Sequence, residues 1–248
     1  MNKKNDRIEG KIIHFKSINS TNDYAKENFK HLENGTIIIA DEQTKGRGRA
    51  GRSFLSNNGG LYFSIIHHSK VDISMISIFT QLAAIAVLKA LNEFSIDAKV
   101  KWPNDIFING LKACGILTEL IETREYHGII IGIGINVKSN QDEFKKLNIV
   151  ATSIEDETKI IIDKEILFNK IVSILKEIIS DFEKTKDFSK YKSFLIEKSN
   201  ILGKEIIVQI GNQKYEVKAI DIDDFGNLLV LKDGRIVPLN SSEVHIKI

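Results

Sequence analysis

The stretch Gly46–His67, GRGRAGRSFLSNNGGLYFSIIH, decides what kind of fold this 248-residue chain can have. Its first residues fit the G-x-G-x-x-G spacing of a dinucleotide fingerprint, with Asp72 standing roughly 20 residues further on. That fingerprint works only where it opens a helix whose N-terminal N–H groups hold a pyrophosphate. Ser53–Gly60 cannot be that helix, because it is rich in glycine, serine and asparagine with almost no apolar periodicity. Read instead as Gly46-x4-Gly51-Arg52-Ser53, the segment is one substitution from a P-loop, yet it lacks the lysine and the same helix. The chain runs on into a strand, Leu61–His67. Both α/β nucleotide folds fail on context, and Gly46–Gly60 reads as a surface loop between two strands.

Upstream of the loop, Thr36–Ala40 reads as a buried strand. Before it, Ser20-Thr21-Asn22-Asp23 offers capping side chains to a helix reaching about Phe29, and a short strand around Lys11–Phe15 opens the fold. Downstream, Ile78, Leu82, Ile85, Ala86 and Leu88–Leu91 give Ser74–Phe94 the spacing of a well-buried helix. Strands come next at Ala98–Lys101 and Ile106–Ile108, then an Asn109-Gly110 turn, the signature of a tight hairpin, and its partner strand Lys112–Leu120. Ile129–Val137 adds a strand, and helices over Lys164–Lys184 and Phe188–Lys198 close a larger domain. From Gly203 the pattern changes to short strands with turns at Gly211-Asn212, Asp224–Asn227 and Asp233-Gly234, as in a small β-barrel. The expected class is α+β, a mixed β-sheet with packed helices over residues 1–200 and a small barrel over 201–248.

Composition narrows the function. The 35 basic and 33 acidic residues leave a formal charge of +2, not the surplus of a duplex-binding domain. The single cysteine, Cys114, cannot form an intramolecular disulfide, and MNKKNDRIEG lacks the apolar core of a secretory signal, so a cytoplasmic setting is expected. Apolar runs such as Gly128–Val137 are too short to span a bilayer, and no membrane partner is expected. Within Ala113–Leu117, Cys114 reads as a small buried residue. No H-x-x-x-H spacing occurs and His67 and His68 point to opposite faces of a strand, so no protein-held metal site is expected.

Three constellations carry possible chemistry. In the loop, glycines let backbone approach a ligand while Arg47, Arg49 and Arg52 supply donors for carboxylate or phosphate. A solvated basic loop and an RNA-binding Gly/Arg segment fit the same letters. Lys101-Trp102-Pro103-Asn104-Asp105 has Pro103 to hold the chain extended just before the hairpin, and Lys112 and Asp105 could face one pocket with Gly115 leaving room beside them. Singly, Asp105 also suits a turn cap, Lys112 a strand end and Trp102 the core. Gly132-Ile133-Gly134-Ile135-Asn136 puts two glycines inside an apolar strand, which costs stability unless something packs closely there.

In this order, Ser20-Thr21-Asn22, Gln43 through GRGRAGR, KWPND with Lys112–Leu117, and GIGIN make the chain resemble biotin protein ligases over nearly its whole length. The resemblance implies a class II synthetase-like catalytic domain with an SH3-like C-terminal barrel. It implies activation of biotin by ATP with Mg²⁺ and transfer to a lysine of a biotin carboxyl carrier protein or domain, as in acetyl-CoA or pyruvate carboxylase. Biotin would be met by Ser20, Thr21, Asn22, Gln43, Arg47, Gly48, Arg49, Lys112, Gly115 and Gly132, the last beneath its ring. The nucleotide would be met by Arg47, Arg49, Arg52, Phe54, Asn104 and Asn136, with Phe54 where relatives often place a tryptophan against adenine. Lys112, Arg49 and Asp105 would carry the chemistry, and the loop would close over the adenylate. Some relatives carry a winged-helix domain, for which Met1–Ser17 leaves no room, so no DNA partner is expected. A homodimer could form through an exposed strand edge. A lipoate-type ligase is the nearest alternative within enzymes, and a nucleic-acid-binding module the alternative outside them.

Overall fold

The computed structural model describes residues 10–123, 126–138, 144, 146, 147, 149–241 and 244–247; the segment read for a secretory signal lies almost wholly in residues 1–9, outside the described residues. Seven strands form one sheet: β1 (Ile12–Ile18), β2 (Ile37–Gln43), β3 (Leu61–Ser69), β4 (Lys99–Lys101), β5 (Asp105–Ile108), β6 (Leu111–Glu122) and β7 (His127–Ile135). Their order is β1-β2-β3-β7-β6-β5-β4. β1 and β2 run parallel, joined through the helix α1 (Thr21–Glu27), and every other pairing is antiparallel, giving the mixed sheet expected.

Period-two alternation assigns the faces. Ile129, Ile131, Ile133 and Ile135 of β7 join the main core with α2 (Ile76–Glu93) and α4 (Lys164–Thr185), whereas Ile130 joins Ala25, Phe29, Ile38 and Ile66 under α1. α2 is apolar nearly all round, and such a helix must be buried on all sides. By length and composition Ile73–Glu93 would also pass for a membrane span, which run-length reading of the sequence overlooked; here 67% of it is buried inside the protein. Two further helices are α3 (Ile154–Thr158), too short for its periodicity to register in the sequence, and α5 (Ser189–Lys198).

Asn109 and Gly110 both take positive φ, 49° and 81°, as a two-residue hairpin joining β5 to β6 requires. The expectation for Pro103 is corrected. Trp102-Pro103-Asn104 is not extended but forms the turn between β4 and β5, closed by Asn104 N–H donating to the Lys101 carbonyl at 3.2 Å, with Lys101 paired to Asp105. The Trp102–Pro103 peptide is cis.

The C-terminal strands β8 (Glu205–Ile210), β9 (Gln213–Ile222), β10 (Leu228–Lys232), β11 (Arg235–Leu239) and β12 (Val244–Lys247) make an antiparallel sheet in the order β11-β10-β9-β8-β12. Its inward residues, among them Ile206, Val208, Val217, Ala219 and Val230, belong to the same continuous apolar cluster as the large sheet. The two sheets therefore share a core.

Candidate active site

The glycines of β7 explain where a cavity can exist. Gly132 and Gly134 share the face of Ile130, beyond the N-terminus of α1, and β6 sets Leu117 and Gly115 opposite them. A Cβ on Gly132 would stand 2.1 Å from Asn22 Oδ1, and one on Gly134 2.9 Å from the Phe54 ring. The paired glycines Gly115 and Gly134 thus make a flat floor on which Phe54 lies, and the open cleft around it has a cavity volume of about 150 Å³.

One wall is neutral. Ser20 caps α1, its Oγ accepting from Asp23 N–H at 3.3 Å, which turns Thr21 and Asn22 toward the sheet. Thr21 donates to Gln43 Oε1 through its N–H at 2.8 Å and its hydroxyl at 3.1 Å, and Gln43 Nε2 donates to Ser56 Oγ at 2.8 Å. Ser64 Oγ lies 2.7 Å from Thr21 Oγ1 and 2.6 Å from Asn22 Oδ1. Since the Thr21 proton goes to Gln43, the single Ser64 proton is left for Thr21 Oγ1 or Asn22 Oδ1. Asn22 Nδ2 donates to the Leu117 carbonyl at 3.2 Å and to Glu119 Oε2 at 2.9 Å.

The other wall is charged. The loop folds back on itself, with Phe54 N–H donating to the Gly46 carbonyl at 2.8 Å and Gly48 N–H to the Arg52 carbonyl at 2.7 Å around a tight turn at Arg49–Gly51. No helix succeeds it, as its composition dictates. Arg47 Nη2 meets Glu119 Oε1 at 2.6 Å and Asp23 Oδ1 at 3.1 Å. Its hydrogen bond to Glu119 raises its pKa, outweighing burial. Burial by itself would push the Glu119 carboxyl up, but Asn22, Arg47 and Lys26 together hold it below the usual carboxylate range. Arg49 Nη1 donates to Asn104 Oδ1 at 3.0 Å and its Nη2 to the Ser241 carbonyl, while Arg52 Nε donates to the Arg49 carbonyl at 3.3 Å. Burial lowers the Arg49 pKa, against the pull of nearby Asp105. Lys112 Nζ pairs with Asp105 Oδ1 at 2.7 Å and lies 5.8 Å from the centre of the Phe54 ring. Asn104 Nδ2 donates to the Ile116 carbonyl at 3.0 Å and to Asp105 Oδ1 at 3.1 Å. Burial also lowers the pKa of Lys101 just before this turn.

Among the described residues no group of three or more His, Cys, Asp and Glu could hold a metal ion. Cys114 is fully buried, and burial pushes its thiol up, away from thiolate chemistry.

Of the residues singled out in the sequence, Ser20, Thr21, Asn22, Gln43, Arg47, Gly48, Arg49, Arg52, Phe54, Asn104, Asp105, Lys112, Gly115 and Gly132 all line this cleft. Arg49 and Lys112, far apart in the chain, do converge on one cavity. Asn136 is the one that the structure does not bring to the cleft. It does not line the cleft; it is buried beyond the end of β7, its amide spent on the Thr152 carbonyl at 2.9 Å. The residue directly over Gly132 is Asn22. Sequence reading missed Ser64 and Glu119. Each is a polar residue on the inward face of an otherwise apolar strand, and that break in the pattern was the available signal. Ser241, which reaches the site from the C-terminal sheet, left no local signal.

Residues 14–136 match the family model described as "Biotin/lipoate A/B protein ligase family", and residues 201–246 match "Biotin protein ligase C terminal domain". The bifunctional ligase/repressor BirA of Bacillus subtilis is 32% identical over 216 residues, covering 86% of this chain and 66% of the relative. The chain thus spans about two thirds of the length of that relative. The biotin–[acetyl-CoA-carboxylase] ligase of Mycobacterium tuberculosis is 26% identical over 217 residues, covering 85% of this chain and 78% of its own. A solved structure, the biotin protein ligase from Aquifex aeolicus in complex with biotin and ATP, matches with a TM-score of 0.82 at 31% identity, over 96% of this chain and 98% of that one.

Proposed function

Because the chain belongs to the biotin protein ligase family, we propose that it joins biotin to ATP as biotinyl-5'-AMP with release of pyrophosphate, then transfers the biotinyl group to a lysine of a biotin carboxyl carrier protein or domain with release of AMP. The observation that carries this reading is the convergence of Arg47, Arg49, Arg52 and Lys112 on one cleft whose opposite wall is a buried, neutral hydrogen-bonding network.

A carboxylate attacking the α-phosphate brings two anions together, and cations fixed nearby offset their repulsion most as charge builds in the transition state. Lys112 and Arg49 take that role, and Asp105, which orients Lys112 through their ion pair, assists the acceptor amine in losing its proton. Arg47, Gly48 and Arg52 belong to the loop over the reacting groups, where excluding water protects a mixed anhydride. Phe54 offers its ring to the adenine, and Asn104 holds Arg49 in place. The neutral wall of Ser20, Thr21, Asn22 and Gln43, floored by Gly115 and Gly132, suits a urea, which has N–H donors and a carbonyl acceptor. A dithiolane has neither, so biotin is favoured over lipoate.

Mg²⁺ fits as a companion of the nucleotide. Among the described residues lining the cleft the one carboxylate is Asp105, already paired with Lys112, so phosphate oxygens would furnish most of the ligands. The ion would neutralise the departing pyrophosphate. The carrier belongs to a biotin-dependent carboxylase such as acetyl-CoA or pyruvate carboxylase, the setting is cytoplasmic, and an exposed strand edge offers a homodimer interface.

The test is biotin-dependent ATP–pyrophosphate exchange followed by transfer to a carrier domain. Exchange with biotin but not lipoate, and labelling of the carrier lysine, are expected; exchange supported by lipoate alone, or none with either acid, overturns the reading.

A further inference from the structure

The turn Asp223–Asn227, between β9 and β10, reaches out of the C-terminal sheet into the large domain. The carbonyl of Gly226 accepts two hydrogen bonds there, from Gln81 Nε2 at 2.7 Å and from the Trp102 indole Nε1 at 3.0 Å, both buried. Gly226 has φ +79°, and a Cβ on it would stand 2.4 Å from Gln81 Nε2. The turn is built to present that carbonyl. Asp223 Oδ1 accepts from the N–H groups of Phe225 and Asn227 at 2.9 and 2.8 Å, its Oδ2 accepts from Asn227 Nδ2 at 2.9 Å, and Gly226 N–H donates to the Asp223 carbonyl at 3.0 Å.

On the receiving side, Trp102 is separated only by Pro103 from the residues that hold the charged wall, with Asn104 bonded to Arg49 and Asp105 paired with Lys112. A second contact from the C-terminal segment, the Ser241 carbonyl, accepts from Arg49 itself. The neutral wall is held otherwise. The bonds of Thr21, Asn22 and Gln43 run to Ser56, Ser64, Leu117 and Glu119, all in the large domain. One buried carbonyl of the small domain is therefore tied to one wall of the cleft and not to the other.

We propose that Trp102 and Gln81 are positioning residues through which the Gly226 turn sets the place of Asn104 and Asp105, so that the C-terminal domain governs the rate of the phosphate chemistry without governing the affinity for biotin. This rests on the charged wall being the seat of adenylation. Misplacing reacting groups by about 1 Å is enough to slow a reaction up to ~10²-fold, so a slackened turn shows first in kcat.

The test uses the full chain and the variants Trp102→Phe, which keeps an aromatic ring but removes the N–H, Gln81→Met, their combination, and Asp223→Ala, which loosens the turn from the far side. Trp102→Phe is expected to lower kcat of ATP–pyrophosphate exchange about tenfold, with the Kd for biotin alone within about twofold of wild type. Combining it with Gln81→Met strips the carbonyl of both donors and lowers kcat by more than the product of the single effects, because either N–H alone partly satisfies one acceptor. Asp223→Ala lowers kcat in the same sense, and carries the test if Trp102→Phe does not fold.

Wild-type kcat in folded Trp102→Phe or Asp223→Ala overturns the proposal, as does a biotin Kd that rises by the factor by which kcat falls. If the wild-type protein shows no exchange at all, the functional reading fails and the positioning claim is judged by amide hydrogen exchange. The N–H groups of Asn104 and Ile116, bonded to the Lys101 and Asn104 carbonyls, should then exchange faster in the variants while those of Thr21 and Gln43 do not change; equal protection at Asn104 and Ile116 sinks it.

Discussion

The two walls of the cleft solve the problem of unmet polar groups in opposite ways. On the neutral wall, Thr21, Asn22 and Ser64 are almost wholly buried, at 3%, 5% and 0% exposure, and each is bonded to the next in a closed network. A buried network of this kind is stable only when nearly every member is satisfied, and it is then rigid. On the charged wall the side chain of Arg47 is 40% exposed and that of Lys112 29%, and these two cations are held by carboxylates of the protein, Glu119 and Asp105, while Arg49 bonds to Asn104 and the Ser241 carbonyl. A rigid neutral wall can select a ligand by shape and hydrogen bonding. Cations held by internal anions, as Arg47 and Lys112 are, can exchange those partners for a substrate's, at little cost in desolvation because they are already partly wet.

The largest expected effect breaks the charged wall alone. Lys112→Ala should remove about 3 kcal/mol of transition-state stabilisation, on the scale of a lost oxyanion donor, and slow adenylate formation ~10²-fold. Single-turnover adenylation beside titration with biotin alone checks it. A loss confined to biotin affinity would mean that the walls are not chemically distinct. Next comes Gly132→Ala, aimed at the neutral wall. The new methyl would meet Asn22 Oδ1 at 2.1 Å, Cγ at 2.8 Å and Nδ2 at 3.0 Å. Asn22 cannot swing away without abandoning Ser64, Leu117 and Glu119, so a destabilisation of about 2–3 kcal/mol is expected, read as a lower urea midpoint. The biotin Kd should rise about tenfold or more, with less effect on the turnover of saturated enzyme.

How much of this was legible divides along the same line. The strands, the Asn109-Gly110 hairpin and the β7 glycines write themselves in local pattern, because alternation and positive φ are properties of neighbours in sequence. The failure of the loop as a nucleotide fingerprint was equally local: the helix it needs cannot form over Ser53–Gly60. Arg49 and Lys112 could be paired in advance only through the family resemblance, since their meeting depends on β6 and the loop crossing one floor. The placement of Asn136 away from the cleft was illegible for the same reason. Its position at the strand end is local, but the Thr152 carbonyl that captures its amide comes from a separate stretch of chain. Pro103 misled differently, because a proline fits both an extended run and a turn, and the pairing of Lys101 with Asp105 decides between them.

A smaller effect is expected within the neutral wall. Ser64→Ala removes the hydroxyl between Thr21 Oγ1 and Asn22 Oδ1, leaving a buried acceptor short of a donor at a cost of about 1–2 kcal/mol. Thermal unfolding should register it, and the rate of adenylation at saturating biotin should stay within about threefold of wild type. A tenfold fall in that rate with no change in stability would place Ser64 in the chemistry instead.

The smallest effect concerns Glu119, which touches both walls, bonded to Asn22 on one side and Arg47 on the other. Its folded pKa lies below the usual carboxylate value of 4.5. Its contribution to stability is therefore fully present well above that pH and is lost as pH falls through the lower, folded value. Glu119→Gln keeps an acceptor for Asn22 but discards the charge facing Arg47, and the half-open site limits the loss at neutral pH to about 0.5–1 kcal/mol. Because protonated glutamate and glutamine carry the same charge, the gap in unfolding free energy between wild type and variant should close as pH drops below 4.5. Denaturant titrations along that pH series measure it. A gap that persists in acid would show that Glu119 acts on Asn22 by geometry alone, and the charged wall would then be latched through Asp23.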